Sequence, residues 1–280
     1  MSNLISKSLA VSKIRLRDRM WNKRLLMTGG VFFLFLFMTE EGIVRVAIQN
    51  RMYVSPYIFP FLSSDWVFQM MASGYFVWLV SDLCTVRPSD EYIRRRAGEK
   101  SWRFGNCIAL LVSALAFSVG ILVFSTSFFF PVLQPSMEWG RFWNTLSKVN
   151  SSAFGVRIQV SPMLPHLYKP SEAMFLSFLL QTLELSWLAL LMYLLNSFSY
   201  TMMGLYVSVA FIFLDVFLSN TMQERYYRFS PVTLAQLGNY TLATRRYGMS
   251  LSYGILFFLL GNILFSILLL LEPGRMGESA

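Results

Sequence analysis

Long apolar runs alternate with shorter polar stretches along the whole chain. A helix advances about 1.5 Å per residue, so about 20 apolar residues carry it across the hydrocarbon core of a bilayer. Runs near that length predict six membrane-crossing helices, at about 25–46, 59–83, 106–131, 173–195, 200–219 and 249–271. The fold class is therefore all-α: a polytopic membrane protein with one transmembrane domain over residues 1–280. The first run holds Gly29-Gly30 and a phenylalanine-rich stretch, and meets Glu40, Glu41 and Arg45 before it ends. Glu41 and Arg45 are four apart and share a helix face if the helix continues; the alternative is a span that stops near Thr39. Trp66 and Trp78 lie near the two ends of the second run, where indole rings suit the membrane boundary. The turn Asn196-Ser197-Phe198-Ser199 is short, so the fourth and fifth runs pack antiparallel. Glu272-Pro273-Gly274 breaks the sixth.

The polar stretches carry helix signals of their own. In residues 1–24, Ile5, Leu9, Leu16 and Met20 fall on one side at helical spacing, which predicts a basic amphipathic helix on the membrane surface. Lys13 interrupts that face. Between the second and third runs lies Arg87-Pro88-Ser89-Asp90-Glu91-Tyr92-Ile93-Arg94-Arg95-Arg96-Ala97-Gly98. Ser89 caps a first turn holding Asp90 and Glu91, the arginines fill the last turn, and Gly98 supplies a left-handed stop. A solvated charge run that fixes the loop in the cytoplasm would explain the arginines alone. The acid-first, base-last order favours a short docking helix. In the connection 132–171, Trp139, Phe142, Trp143 and Leu146 repeat at helical spacing, predicting a helix outside the bilayer that turns this face to lipid or to neighbouring spans.

Composition agrees with a membrane chain: 55% of the 280 residues are hydrophobic and only 14% charged, against about a quarter charged in soluble domains. The net charge of +9 does not imply nucleic acid, because the basic residues border the apolar runs. With both termini cytoplasmic, the inner segments hold 14 Lys and Arg and the longer outer ones 10, and the first two inner segments are densest. The basic N-terminus, with no small-residue cleavage site after the first run, reads as no cleavable signal. Cys84 and Cys107 fall on the cytoplasmic side, where free thiols are expected. His166 stands alone, so no metal site is expected.

Catalytic signatures are missing from the chain. It has no Gly-Lys-Ser/Thr phosphate loop, no His-Glu-x-x-His and no Gly-x-Ser-x-Gly, so no enzymatic activity is expected on it. The sharpest single residue is Glu184, near the middle of the fourth run, with Gln181 three positions before it. A carboxyl at that depth is costly unless it is paired, protonated or in a watery cavity. Either it lines a translocation path with Gln181, or it bonds a neighbouring span, for which Asn262 at the centre of the sixth run is the candidate. Asp215, nearer the outer end of the fifth run, suits a structural or interfacial role.

Between the fifth and sixth runs stands Tyr226-Tyr227-Arg228-Phe229-Ser230-Pro231-Val232-Thr233-Leu234-Ala235, with Ser230 as a cap and Pro231 at a first helical position. With the basic N-terminal helix, the six spans and the helix after the second span, this layout resembles the permease subunits of ABC transporters, in the type-two exporter class. Ser-Pro-Val looks like the start of that family's outer re-entrant helices. After the second span many relatives carry an acidic, glycine-containing pattern ending in Gly-Thr; Thr85-Val86-Arg87-Pro88 departs from it and resembles a basic, Gram-positive-type variant. The resemblance implies that Asp90, Glu91, Tyr92, Ile93, Arg94, Arg95 and Arg96 belong to a coupling helix, spanning 90–97, that sits in a groove of an ATPase. It further implies a bacterial plasma membrane protein working with two copies of an ABC ATPase and with a second permease, identical or homologous. ATP and Mg would bind the ATPase, with no cofactor on this chain, and the cargo class is a peptide, drug or lipid-like molecule. Two other classes stay open: an ion-gradient-driven secondary transporter, which rests on Glu184, and a non-transporting sensor or scaffold.

Overall fold

The computed structural model describes residues 2–20, 23–85, 88–149, 154–198, 202–221 and 224–271, and among these the regular elements are helical. In chain order they are α1 (Ser2–Met20), α2 (Lys23–Gln49), α3 (Phe59–Leu62), α4 (Trp66–Val80), α5 (Pro88–Ala97) and α6 (Glu99–Ser127). After these come α7 (Gly140–Leu146), α8 (Met163–Leu167), α9 (Pro170–Phe198), α10 (Met203–Thr221), α11 (Pro231–Leu234), α12 (Leu242–Arg246) and α13 (Leu251–Leu271). Four of them, α6, α9, α10 and α13, are long and apolar enough to cross a membrane, the mark of a multi-pass membrane protein.

α9 is the central pillar. It is buried along most of its length and packs against α4, α6, α10 and α13. Trp187 sits among Phe211, Phe257 and Phe265, with ring centroids 5.4–5.7 Å apart, and so ties α9 to α10 and α13. α13 touches the bundle along a narrow ridge, Gly254, Phe258 and Asn262, spaced four apart as one face of a helix requires. Its other faces expose Leu256, Leu260, Ile263 and Leu264, as suits lipid contact.

The first two runs depart from simple spans. α2 continues to Gln49, so Glu41 and Arg45 pair on an exposed face and the helix does not stop at Thr39. The second run is broken, not continuous: α3 ends at Leu62 and α4 begins at Trp66. The break has a local cause. Asp65 takes the N-cap position of α4 and accepts from the Val67 and Phe68 amides at 3.0 Å, which starts a new helix there.

The connection after α6 folds back as a lid on α3. Trp139, Phe142, Trp143 and Leu146 are all buried, so this face turns to protein and not to lipid. Phe61 of α3 stacks on Trp143 at 4.8 Å, and the Trp143 indole donates to Ser55 O at 3.1 Å. α11 is wholly buried against α4, α9 and α10, its start fixed by Ser230 Oγ accepting from Thr233 N at 3.2 Å and by Pro231 in the first turn. Val86 and Arg87 of the hinge, residues 199–201 after α9 and the 272–280 tail fall outside the described residues.

Candidate functional site

α1 does more than lie on a membrane surface. Ser8, Val11, Ser12 and Arg15, at i, i+3, i+4 and i+7, are buried against α6, while Ile5 and Leu9 stay exposed on the adjoining side. Contact is close enough that a Cβ at Gly105 of α6 would stand 2.8 Å from Ser8 O, so a residue with no side chain is needed there. The approach seats Arg15, only 6% exposed, at the junction of four elements. Its Nη1 donates to Asp90 Oδ2 of α5 at 2.7 Å, its Nη2 to Leu83 O at 2.9 Å, and its Nε to Asn106 Oδ1 of α6 at 3.1 Å. The guanidinium also lies 5.0 Å from the centroid of Trp102. Asn106 in turn donates to Tyr193 OH of α9 at 3.0 Å, so one arginine joins α5 to the central pillar.

α5 forms as its sequence dictates, with Asp90 and Glu91 in the first turn and Arg94, Arg95 and Arg96 in the last. It starts at Pro88, one residue before the expected cap, so Ser89 lies within the helix and its side chain falls outside what is described. Asp90 faces inward to Arg15. Glu91, Tyr92, Arg95 and Arg96 face outward, Tyr92 at 71% exposure, and Ile93 and Arg94 are half-buried. Glu91 pairs with Arg95 at 3.2 Å on the surface. Glu99 receives Arg94 at 2.7 Å and Arg103 at 2.8 Å, and Arg103 also donates to Leu269 O at 3.0 Å near the last turn of α13. The helix is thus a bracket, rigidly held on one face and open on the other.

At this same end, α2, α4 and α10 part to leave a cleft of about 680 Å³, lined by Thr28, Trp78, Ser81, Asp82, Thr85 and Leu205 among others. Glu184, Gln181 and Asn262 do not line it. They lie within the bundle, where Glu184 and Gln181 are fully buried and Asn262 nearly so. Glu184 Oε1 accepts from Ser73 Oγ of α4 at 2.9 Å, and its Oε2 from Gln181 Nε2 at 3.3 Å. Asn262 does not reach Glu184: it donates to Ser186 Oγ at 3.0 Å and Leu183 O at 3.3 Å on the same pillar. Among the described residues, the side-chain oxygens of Gln181 and Asn262, and both polar atoms of Gln69 on α4, have no hydrogen-bond partner. Glu40 on α2 is likewise fully buried with both oxygens unpartnered.

Asp215 is anchored differently. Thr233 Oγ1 donates to it at 2.6 Å and Gln236 Nε2 at 3.0 and 3.1 Å, which fastens α10 to α11 in the structural role its position suggests. Cys84 and Cys107 are free and buried. Among the described residues no group of His, Cys, Asp or Glu side chains could hold a metal ion.

Arg15, Asn106 and Tyr193 escape sequence reasoning because their pairing spans 75 to 91 residues. The one local signal was polar Ser8, Ser12 and Arg15 sharing a helix stripe. Comparison of the chain with protein-family models, with curated proteins and with solved structures finds no match.

Proposed function

We propose that this chain is the membrane subunit of an ATP-driven exporter whose ATPase is a separate polypeptide. The observation that carries the reading is the build of α5: an exposed helix face on a mount locked into the spans. A push on Tyr92 or Arg95 passes through Asp90 and Arg15 to α1, α6 and α9, because every link is a short hydrogen bond between buried groups. The cleft between α2, α4 and α10 opens at the same end, where cargo would enter before the spans rearrange. In this reading ATP and Mg would bind the partner ATPase, in two copies, and a second permease would complete the path.

A second reading, an ion-gradient transporter, is favoured by one observation. Glu184 is buried with only neutral donors, an arrangement suited to a proton carrier. The two are separated by purifying the full chain from its own membranes. Co-purification of an ATPase, with transport dependent on ATP hydrolysis, supports the exporter; transport driven by a proton gradient with no ATPase present overturns it. The orientation has its own test. With Cys84 and Cys107 replaced by serine, Lys148→Cys should react with an impermeant thiol reagent from outside the cell, and reaction only from the cytoplasm would reverse the topology.

A further inference from the structure

The arginines at the end of the bundle opposite α5 have no part in the exporter reading. Residues Glu224–Phe229 form a tight 3-10 turn with about three residues per turn, so Arg225 and Arg228 fall on one edge and Tyr226 and Phe229 on the next. Each guanidinium rests on the ring beside it, Arg225 4.6 Å from the Tyr226 centroid and Arg228 4.8 Å from that of Phe229. α12, started by the Thr241–Thr244 capping box, carries Arg246 in from the other side. The chain then reverses at Gly248, whose φ of +84° suits glycine, and this presents Tyr247 O to Arg228 Nη1 at 3.3 Å. Arg225, Arg228, Arg246 and the rings of Tyr226, Phe229 and Tyr247 line one open hollow of about 550 Å³.

Three cations converge there, and no carboxylate pairs with any of them among the described residues. Glu224, next to Arg225 in sequence, forms no ion pair with any of the three. An interfacial aromatic belt accounts for the rings but not for the gathering of unpaired guanidiniums. Each guanidinium has five donors. Arg225 commits one to Tyr226 OH and Arg228 one to Tyr247 O, leaving forks that match the oxygens of a phosphate.

The depth names the source of that phosphate. The 224–229 turn follows α10 and the 246–248 turn precedes α13, and Tyr253 in the first turn of α13 donates to Arg228 O at 3.4 Å. The hollow therefore stands where two apolar helices leave hydrocarbon, at the level of lipid headgroups. We propose that it binds the phosphate of an anionic phospholipid in the leaflet at this end. This requires that α10 and α13 span a bilayer and is independent of what the protein transports.

The test uses the full chain in detergent with phosphatidylglycerol or phosphatidylcholine added, and native mass spectrometry to count retained lipids. Wild type should retain phosphatidylglycerol in preference to phosphatidylcholine. Arg225→Gln, Arg228→Gln and Arg246→Gln should each weaken retention about fivefold, as for one basic side chain at an anionic surface. Arg225→Lys keeps the charge and loses the fork, so it should fall between wild type and Arg225→Gln. Equal retention of the neutral lipid, or undiminished retention by the folded Gln variants, overturns the proposal. Thermal stabilisation by inorganic phosphate with no lipid retained would reassign the hollow to a soluble anion and overturn it as well.

Discussion

Asp90 and Glu184 are both out of reach of water, at 5% and 0% exposure, yet their surroundings are opposite. Asp90 meets a guanidinium at 2.7 Å whose other nitrogens are also bonded, so charge and hydrogen bonds close together. Glu184 meets one hydroxyl and one long amide contact, with further unpartnered amide oxygens at its level. The contrast teaches how to tell a joint from a working part. A buried carboxylate with its cation beside it holds two elements in one arrangement; one with neutral donors alone has a charge state that can change when the elements around it move.

Breaking the Asp90 side of this contrast should have the largest effect. Arg15→Ala leaves a carboxylate buried with no cation and should cost about 3–5 kcal/mol, seen as a lowered midpoint in thermal unfolding of the purified protein. Replacing the pair with apolar residues, Arg15→Met with Asp90→Leu, should recover most of that loss, because no charge remains buried. If Arg15→Ala unfolds like wild type, the joint is not holding α1, α5 and α6 together.

The Glu184 side should respond less, and to chemistry more than to charge. Glu184→Gln keeps an acceptor for Ser73 and should fold with little change. Glu184→Leu strands the Ser73 hydroxyl and should cost about 1–3 kcal/mol. Transport by the Leu variant sharpens the point: normal transport would make Glu184 purely structural. The smallest stability effect belongs to the open face of α5. Tyr92→Ala with Ile93→Ala should shift stability by no more than about 0.5 kcal/mol. The same pair should nonetheless weaken pull-down of an ATPase; unchanged retention together with unchanged transport would end the docking role.

The long helices were legible because one physical cause sets them. The 173–195 and 249–271 runs became Pro170–Phe198 and Leu251–Leu271 with ends shifted by a few residues. α5 was legible for the same local reason, since its charges follow the helix dipole. What stayed hidden depends on partners distant in sequence. The Ser63-Ser64-Asp65 triplet interrupts the apolar run, but nothing local shows that the second oxygen of Asp65 accepts from Gln159 N, far along the chain, at 3.3 Å. Arg15 looked like one more positive charge on a basic segment, and only the approach of α6 at Gly105 makes it a buried one. The Trp139 face was readable as a stripe, but not which surface it would meet.

With α4 as a membrane span, the break before it would set a condition on membrane thickness. α4 has 15 residues, so it reaches about 22 Å, well short of a hydrocarbon core of about 30 Å. Ser63, Ser64 and Asp65 would then stand below the level where lipid chains end, at a depth where stray peptide groups are not tolerated. The neighbouring chain insulates them: Ser64 Oγ accepts from Gly238 N at 2.9 Å, and Asp65 accepts from Gln159 N. With α4 as a span, this plug would have to keep acyl chains off the break in a thick bilayer, whereas in a thin one water would meet it. Hydrophobic mismatch at this single helix would then make the protein sensitive to bilayer thickness.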